Sequence, residues 1–178
     1  MTDAGGAAAE APAPRRIEQR GLYLDELQTD VVYAHRPGRT VTEADNVLFT
    51  TLTMNSQALH LDAAWSASQP FGQRLVNSMF TLSTVIGLSV AQLTQGTIIG
   101  QLGLDDVRFP HPVFHGDTLY AETVVTEKRL SASRPGQGIA TMKLLGKNQN
   151  GVVVAEATRS CLIWAIQAAA MAIEPTEV

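Results

Sequence analysis

Cysteine is nearly absent. Cys161 is the one thiol in the chain, so neither an internal disulfide nor a cysteine-based zinc site can be built, and nothing points to an oxidising compartment. Dense basic runs are missing too. Lys and Arg number 13 against 17 Asp and Glu, a formal charge of −4, which argues against tracking a phosphate backbone and so against a nucleic-acid partner. No uninterrupted apolar run reaches membrane length: the longest, Val76 to Leu93, is broken by Asn77, Ser78, Thr81, Ser83, Thr84, Ser89 and Gln92. It reads as a buried helix, and no membrane partner is expected. Residues 1–16 are rich in Ala, Pro and Gly but lack the basic start and apolar core of a secretory signal. They are expected to be a disordered tail, with residues 167–178 a second tail and the cytoplasm the default compartment.

What is present suits one domain over residues 17–166, with 45% hydrophobic and 17% charged residues in the whole chain, a balance that also suits burial against a second copy. The first half is made of short pieces. Val31 to His35 and Arg39 to Val41, separated by Pro37-Gly38, predict two strands or an extended arm with a turn. Thr42 is placed to cap a helix with Glu43 and Asp45 in its first turn, which would turn Val47, Leu48, Leu52 and Thr51 inward and end near Met54. From Asn55 to Phe71 the periodicity fades into a loop, followed by a turn or two of helix from Asp62.

Asn77 to Leu93 is apolar on most of its circumference, with Asn77 or Ser78 able to cap it, and predicts a helix surrounded by protein. Gly87 inside it predicts close approach of a neighbouring backbone. Beyond Thr97 the chain reads as strands: Ile98 to Leu104, Val107 to Phe109, Thr118 to Arg129, Gly138 to Gln149 and Val152 to Ile166. Asn150-Gly151 predicts a tight type I′ hairpin, in which both residues need positive φ. A buried helix followed by an antiparallel meander describes an α+β hotdog fold, a sheet wrapped around the central helix Asn77 to Leu93. Its exposed edge predicts a homodimer or higher homo-oligomer.

Particular residues sharpen this. Asn55-Ser56-Gln57-Ala58-Leu59-His60, then Asp62, precede the helix entry Val76-Asn77-Ser78-Met79; later come Val107-Arg108-Phe109, Pro112-Val113 and Gly116-Asp117-Thr118-Leu119. Over roughly Gly21 to Trp164 the chain resembles the MaoC-like (R)-specific enoyl-CoA hydratase/dehydratase family. Leu52 to Asp62 and Ile86-Gly87-Leu88-Ser89-Val90 are most similar to the subgroup handling mesaconyl-CoA or itaconyl-CoA. Two positions depart from the family pattern: its catalytic Asp is Asn55 here, and its His-Gly at the helix entry is Asn77-Ser78.

The resemblance implies an acyl-CoA hydratase/dehydratase acting across the C2–C3 bond of a short enoyl or 3-hydroxyacyl thioester, with coenzyme A as part of the substrate and no other cofactor. His60 is then the candidate base and acid, because a neutral imidazole can take a proton from water and return it. Asn55 can orient water but cannot move a proton near neutral pH. Gln57 is a candidate pocket residue, and Asn77, Ser78 and Met79 offer a helix N-terminus to the thioester oxygen. Asp45 and Asp62 could replace the missing carboxylate but read better as helix-start residues. His35, His111 and His115 sit beside Pro or Gly without metal-ligand spacing, so they read as structural and no metal is expected. Asp117 reads as a turn former, and Trp65 and Trp164 as packing residues. Two other readings stay open: an acyl-CoA thioesterase, against which stands the lack of any carboxylate between Asn77 and Leu93, and a non-catalytic hotdog subunit that binds acyl thioesters.

Overall fold

Period-two alternation builds the second half of the chain. In the computed structural model, which describes residues 14–166, five strands form one antiparallel sheet. They are β1 (Val32–Thr40), β2 (Ile98–Arg108), β3 (Thr118–Leu130), β4 (Gln137–Lys147) and β5 (Val153–Trp164), in the spatial order β1-β3-β4-β5-β2. In β3, Leu119, Ala121, Thr123 and Val125 point inward while their neighbours stay half-exposed. Of the tails expected at residues 1–16 and 167–178, residues 1–13 and the whole of 167–178 lie outside the described residues.

The helices follow from capping and burial. Helix α1 (Glu43–Leu52) begins with a capping box in which Thr42 accepts from the Asp45 N–H while the Asp45 carboxylate accepts from the Thr42 N–H. Two short helices follow, α2 (Ala58–Leu61) and α3 (Ala63–Ala67), the second capped by Asp62 through the Trp65 N–H at 2.9 Å. The long helix α4 (Ser78–Leu93) lies on the inner face of the sheet. Its Val85 packs with Ala121, Leu144 and Ala155, and Gly146 lets it approach: a Cβ there would sit 2.4 Å from the Val85 Cγ2. Each large apolar side chain buried this way contributes roughly 1.5–3 kcal/mol.

β1 reaches the same helix through a polar contact. His35 is buried, its Nδ1 2.8 Å from the Gln92 Oε1 on α4 and its Nε2 2.8 Å from the Thr123 hydroxyl on β3. An amide oxygen only accepts, so Nδ1 carries the proton, and the ring is neutral with Nε2 accepting from Thr123. Burial, reinforced by the nearby Arg36 charge, pulls the His35 pKa down, although the Gln92 bond opposes this. A depressed histidine pKa means that the unfolded chain takes up the proton first. Stability is therefore full above the ordinary histidine pKa near 6.5 and declines as pH falls from there toward the lower folded-state value. Urea denaturation at pH 7.5 and pH 5.5 is expected to show that loss, and His35→Gln to shrink it.

Several local expectations need correction. One strand, β1, takes the place of the two strands or turned arm expected there, its pairing with β3 shifting between His35 and Arg39 around Pro37-Gly38. Likewise β2 runs unbroken from Ile98 to Arg108 with three register shifts against β5. The Asn150-Gly151 hairpin is not a two-residue turn. Gly151 alone of the pair has positive φ, 76°, and the loop closes from the Gly151 N–H to the Asn148 carbonyl and from the Asn148 N–H to the Val152 carbonyl.

Helix α1 is rotated from its expected face: Asn46 and Thr50 are buried, whereas Leu48, Thr51 and Leu52 are exposed and Val47 is half-buried. Helix α4 is not enclosed on all sides, since Met79, Ser83, Gly87 and Ala91 form an exposed face, and nothing lies within 4 Å of where a Gly87 Cβ would be. Trp65 is exposed rather than packed, while Trp164 is half-buried. Asp117 does form its turn, accepting from the Phe114 N–H at 2.9 Å.

Candidate active site

Asn55 opens the segment that carries His60. The side-chain oxygen of Asn55 accepts from the Gln57 N–H at 3.1 Å, a local turn that sets the start of α2, and its own N–H bonds the Thr50 carbonyl at 3.0 Å. The Gln57 carbonyl then accepts the His60 N–H at 3.0 Å. His60 thus sits on a helical turn, not in the loop the sequence suggested, and is 8% exposed. Gln57 is exposed beside it, and Asn55 is half-buried. No hydrogen bond joins Asn55 to His60 among the described residues.

The imidazole is held in one protonation pattern. His60 Nδ1 lies 2.9 Å from the Leu75 carbonyl oxygen. A carbonyl cannot donate, so Nδ1 carries a hydrogen, and in the neutral ring it is then Nε2 that holds the lone pair a base requires. Leu75 belongs to the short extended stretch that leads into α4, bridged to Phe114, with Val76 bonded to the Val113 carbonyl.

The same stretch delivers the helix entry. Asn77, buried, caps α4 by accepting from the Met79 N–H at 3.0 Å. That commits the Met79 amide to the cap. The Ser78 and Phe80 N–H groups have no acceptor among the described residues, and Ser78 is an exposed residue at the positive end of the helix dipole. A cavity of about 240 Å³ opens here, lined by Leu75, Ser78, Thr81, Phe109, His111 and Val154 among others. His60 is not one of its walls; Leu75, which lines the cavity and accepts from the imidazole, links the two.

The carboxylates nearby are occupied. Asp45 is held below the ordinary carboxylate range mainly by the Thr42 N–H, with the Thr42 hydroxyl and Arg39 adding to it, and Asp62 caps α3. Both carboxylates hold helix starts, as the sequence suggested. Among the described residues no group of three or more His, Cys, Asp or Glu side chains is placed to hold a metal ion.

One residue of the site escaped the sequence. Asn46 is fully buried, and its amide touches the His60 carbonyl, the Leu75 carbonyl, His115 and the Asn77 N–H. Its signal was the Asn46/Thr50 pair, four residues apart on α1, which marks a polar inward face. His115 is half-buried; burial, with the Arg74 charge, pulls its pKa down while Glu43 opposes. His111 ties its Nδ1 to the Val153 carbonyl at 2.9 Å.

Residues 26–148 match the model of the MaoC like domain. The chain belongs to that family. A mesaconyl-CoA hydratase of Haloarcula marismortui is 29% identical to this MaoC-like domain over 133 residues, 74% of the chain and 36% of the relative. An (R)-specific enoyl-CoA hydratase of Aeromonas caviae is 34% identical over 112 residues, 62% of the chain and 77% of the relative. In structure, a double hotdog protein of Mycobacterium tuberculosis matches with TM-score 0.71 and 24% identity, across 84% of this chain and 46% of that one. The MaoC-like domain therefore has the hotdog fold, with α4 as its central helix. It spans between about a third and less than half of the length of the first five curated relatives it matches.

Proposed function

We propose that this MaoC-like domain is a cytoplasmic acyl-CoA hydratase/dehydratase, a hydro-lyase acting on a short enoyl or 3-hydroxyacyl thioester, branched or carboxylated as in mesaconyl-CoA. The observation that carries the reading is the buried His60, its Nδ1–H fixed by the Leu75 carbonyl and its Nε2 left basic, in a family with hydratases among its named members.

In this reading Nε2 takes a proton from water as the oxygen bonds to C3. The C2–C3 electron pair moves onto the thioester as an enolate, and the imidazolium then returns the proton to C2. Atoms balance with water alone, and the reverse order of steps removes it. Proton transfer of this kind is worth about 10² to 10⁴ in rate. The thioester oxygen is received at the N-terminus of α4, where the Ser78 N–H is a free donor among the described residues and Asn77, through its cap on Met79, holds the first turn in place. Asn55 and Gln57 line the water side, Asn55 orienting water through its amide. Coenzyme A enters as part of the substrate, and no further cofactor takes part.

A second copy completes the assembly in this reading. Strand β2 is an open edge that exposes Ile99, Leu102 and Val107, with Phe109 just beyond, and a chain about twice as long carries a double hotdog in its place. Light scattering is expected to give a homodimer.

The test uses purified protein with crotonyl-, mesaconyl- and itaconyl-CoA. Loss of the enoyl absorbance without release of free thiol is the expected result. Thiol release would make the protein a thioesterase, and binding without either change would make it a non-catalytic acyl-thioester subunit.

A further inference from the structure

Two halves of the site come from separate segments, His60 from α2 and the helix entry from Leu75 to Met79. One side chain touches both. The Asn46 Oδ1 accepts the Asn77 N–H at 2.8 Å, and because a backbone amide only donates, this fixes the orientation of the Asn46 amide. Its Nδ2 has two hydrogens for three acceptors: the His115 Nε2 at 3.0 Å takes one, and the Leu75 carbonyl at 3.2 Å and the His60 carbonyl at 3.3 Å share the other. The Leu75 oxygen so receives the His60 Nδ1–H and, shared with the His60 carbonyl, an Asn46 amide hydrogen. His115 must accept at Nε2, so it is neutral with its hydrogen on Nδ1. The groups that face it are Arg74, which pairs with Glu43, and Asn46 itself.

A fully buried amide on the inward face of α1 displaces an apolar side chain that would have stabilised the helix at no desolvation cost. Satisfied on both sides, it also fixes geometry that apolar packing cannot. We infer that Asn46 is a positioning residue: it holds the Leu75 carbonyl where that oxygen sets the tautomer and aim of His60, and it locks this imidazole to the entry of α4. The effect on turnover rests on the hydratase reading above; the effect on the His60 tautomer does not.

The experiment combines imidazole nitrogen NMR of the whole chain with steady-state kinetics on an enoyl-CoA that it hydrates. In the wild type, His60 and His115 are expected as single Nδ1–H tautomers with bare Nε2. Asn46→Ala removes every contact. Asn46→Asp, of the same shape, keeps the acceptor for Asn77 but cannot donate to Leu75, His60 or His115. In both variants His60 is expected to become a mixture of tautomers, with kcat lowered about 100-fold, the cost of roughly an ångström of misplacement, and KM changed less than threefold.

Folded variants that keep a single His60 tautomer and full kcat overturn the proposal. So does a wild type whose His60 carries its hydrogen on Nε2, a measurement that needs no variant to fold. If the tautomer shifts as expected while no enoyl-CoA is hydrated by the wild type, the hydratase reading falls and the positioning role stands.

Discussion

His60→Ala is expected to lower kcat/KM for enoyl-CoA hydration by about 10³-fold, the middle of the range for removing a positioned acid-base group, while leaving the fold intact. The side chain is buried, yet its single hydrogen bond among the described residues goes to a backbone carbonyl at the edge of the site and it belongs to none of the apolar clusters under the sheet. The far-ultraviolet spectrum and melting midpoint of the variant should therefore stay close to those of the wild type. Progress curves on the active enoyl-CoA supply the rate. A His60→Ala protein that folds and turns over at the wild-type rate would remove His60 from the mechanism.

Leu144→Ala is expected to destabilise the protein by about 2–5 kcal/mol, the range for truncating a buried leucine when the surroundings relax only partly. Leu144 is fully buried on β4, where it packs with Val85 of α4 and with Ala121 and Ala155 of the flanking strands. All three of these partners are small or β-branched residues on regular elements, and they have little freedom to refill the space. Urea denaturation should show the midpoint falling without a change in slope. A loss below 1 kcal/mol would mean that the helix-to-sheet contact does not hold the core together as described.

The sheet was legible in the sequence because half-buried antiparallel strands carry their burial pattern in every second residue. Leu119, Ala121, Thr123 and Val125 display it, and β3 lies where that alternation predicts. The caps were legible for a similar reason: Thr42 with Asp45, Asp62, and Asn77 are local devices whose partners lie two or three residues away. The facing of α1 was not. Its apolar residues predict Leu48 and Leu52 inward, but the partners of Asn46 lie 14, 29, 31 and 69 residues away. No local pattern encodes those distances. The exposed Met79, Ser83, Gly87 and Ala91 face of α4 was missed on similar grounds, since apolar and small residues all round a helix do not say which side the sheet will cover.

By itself the sequence determined the α+β hotdog class, strands β3, β4 and β5 and the central helix, and His60 as the residue to examine, because each depends on a short-range pattern or a contiguous motif. Tertiary structure alone decided which nitrogen of His60 carries the hydrogen and which buried amide ties that imidazole to the helix entry. It also decided which faces of α1 and α4 are left open. Those outcomes depend on the direction of a carbonyl and a carboxamide brought together from distant segments, and direction is a property of the packed chain.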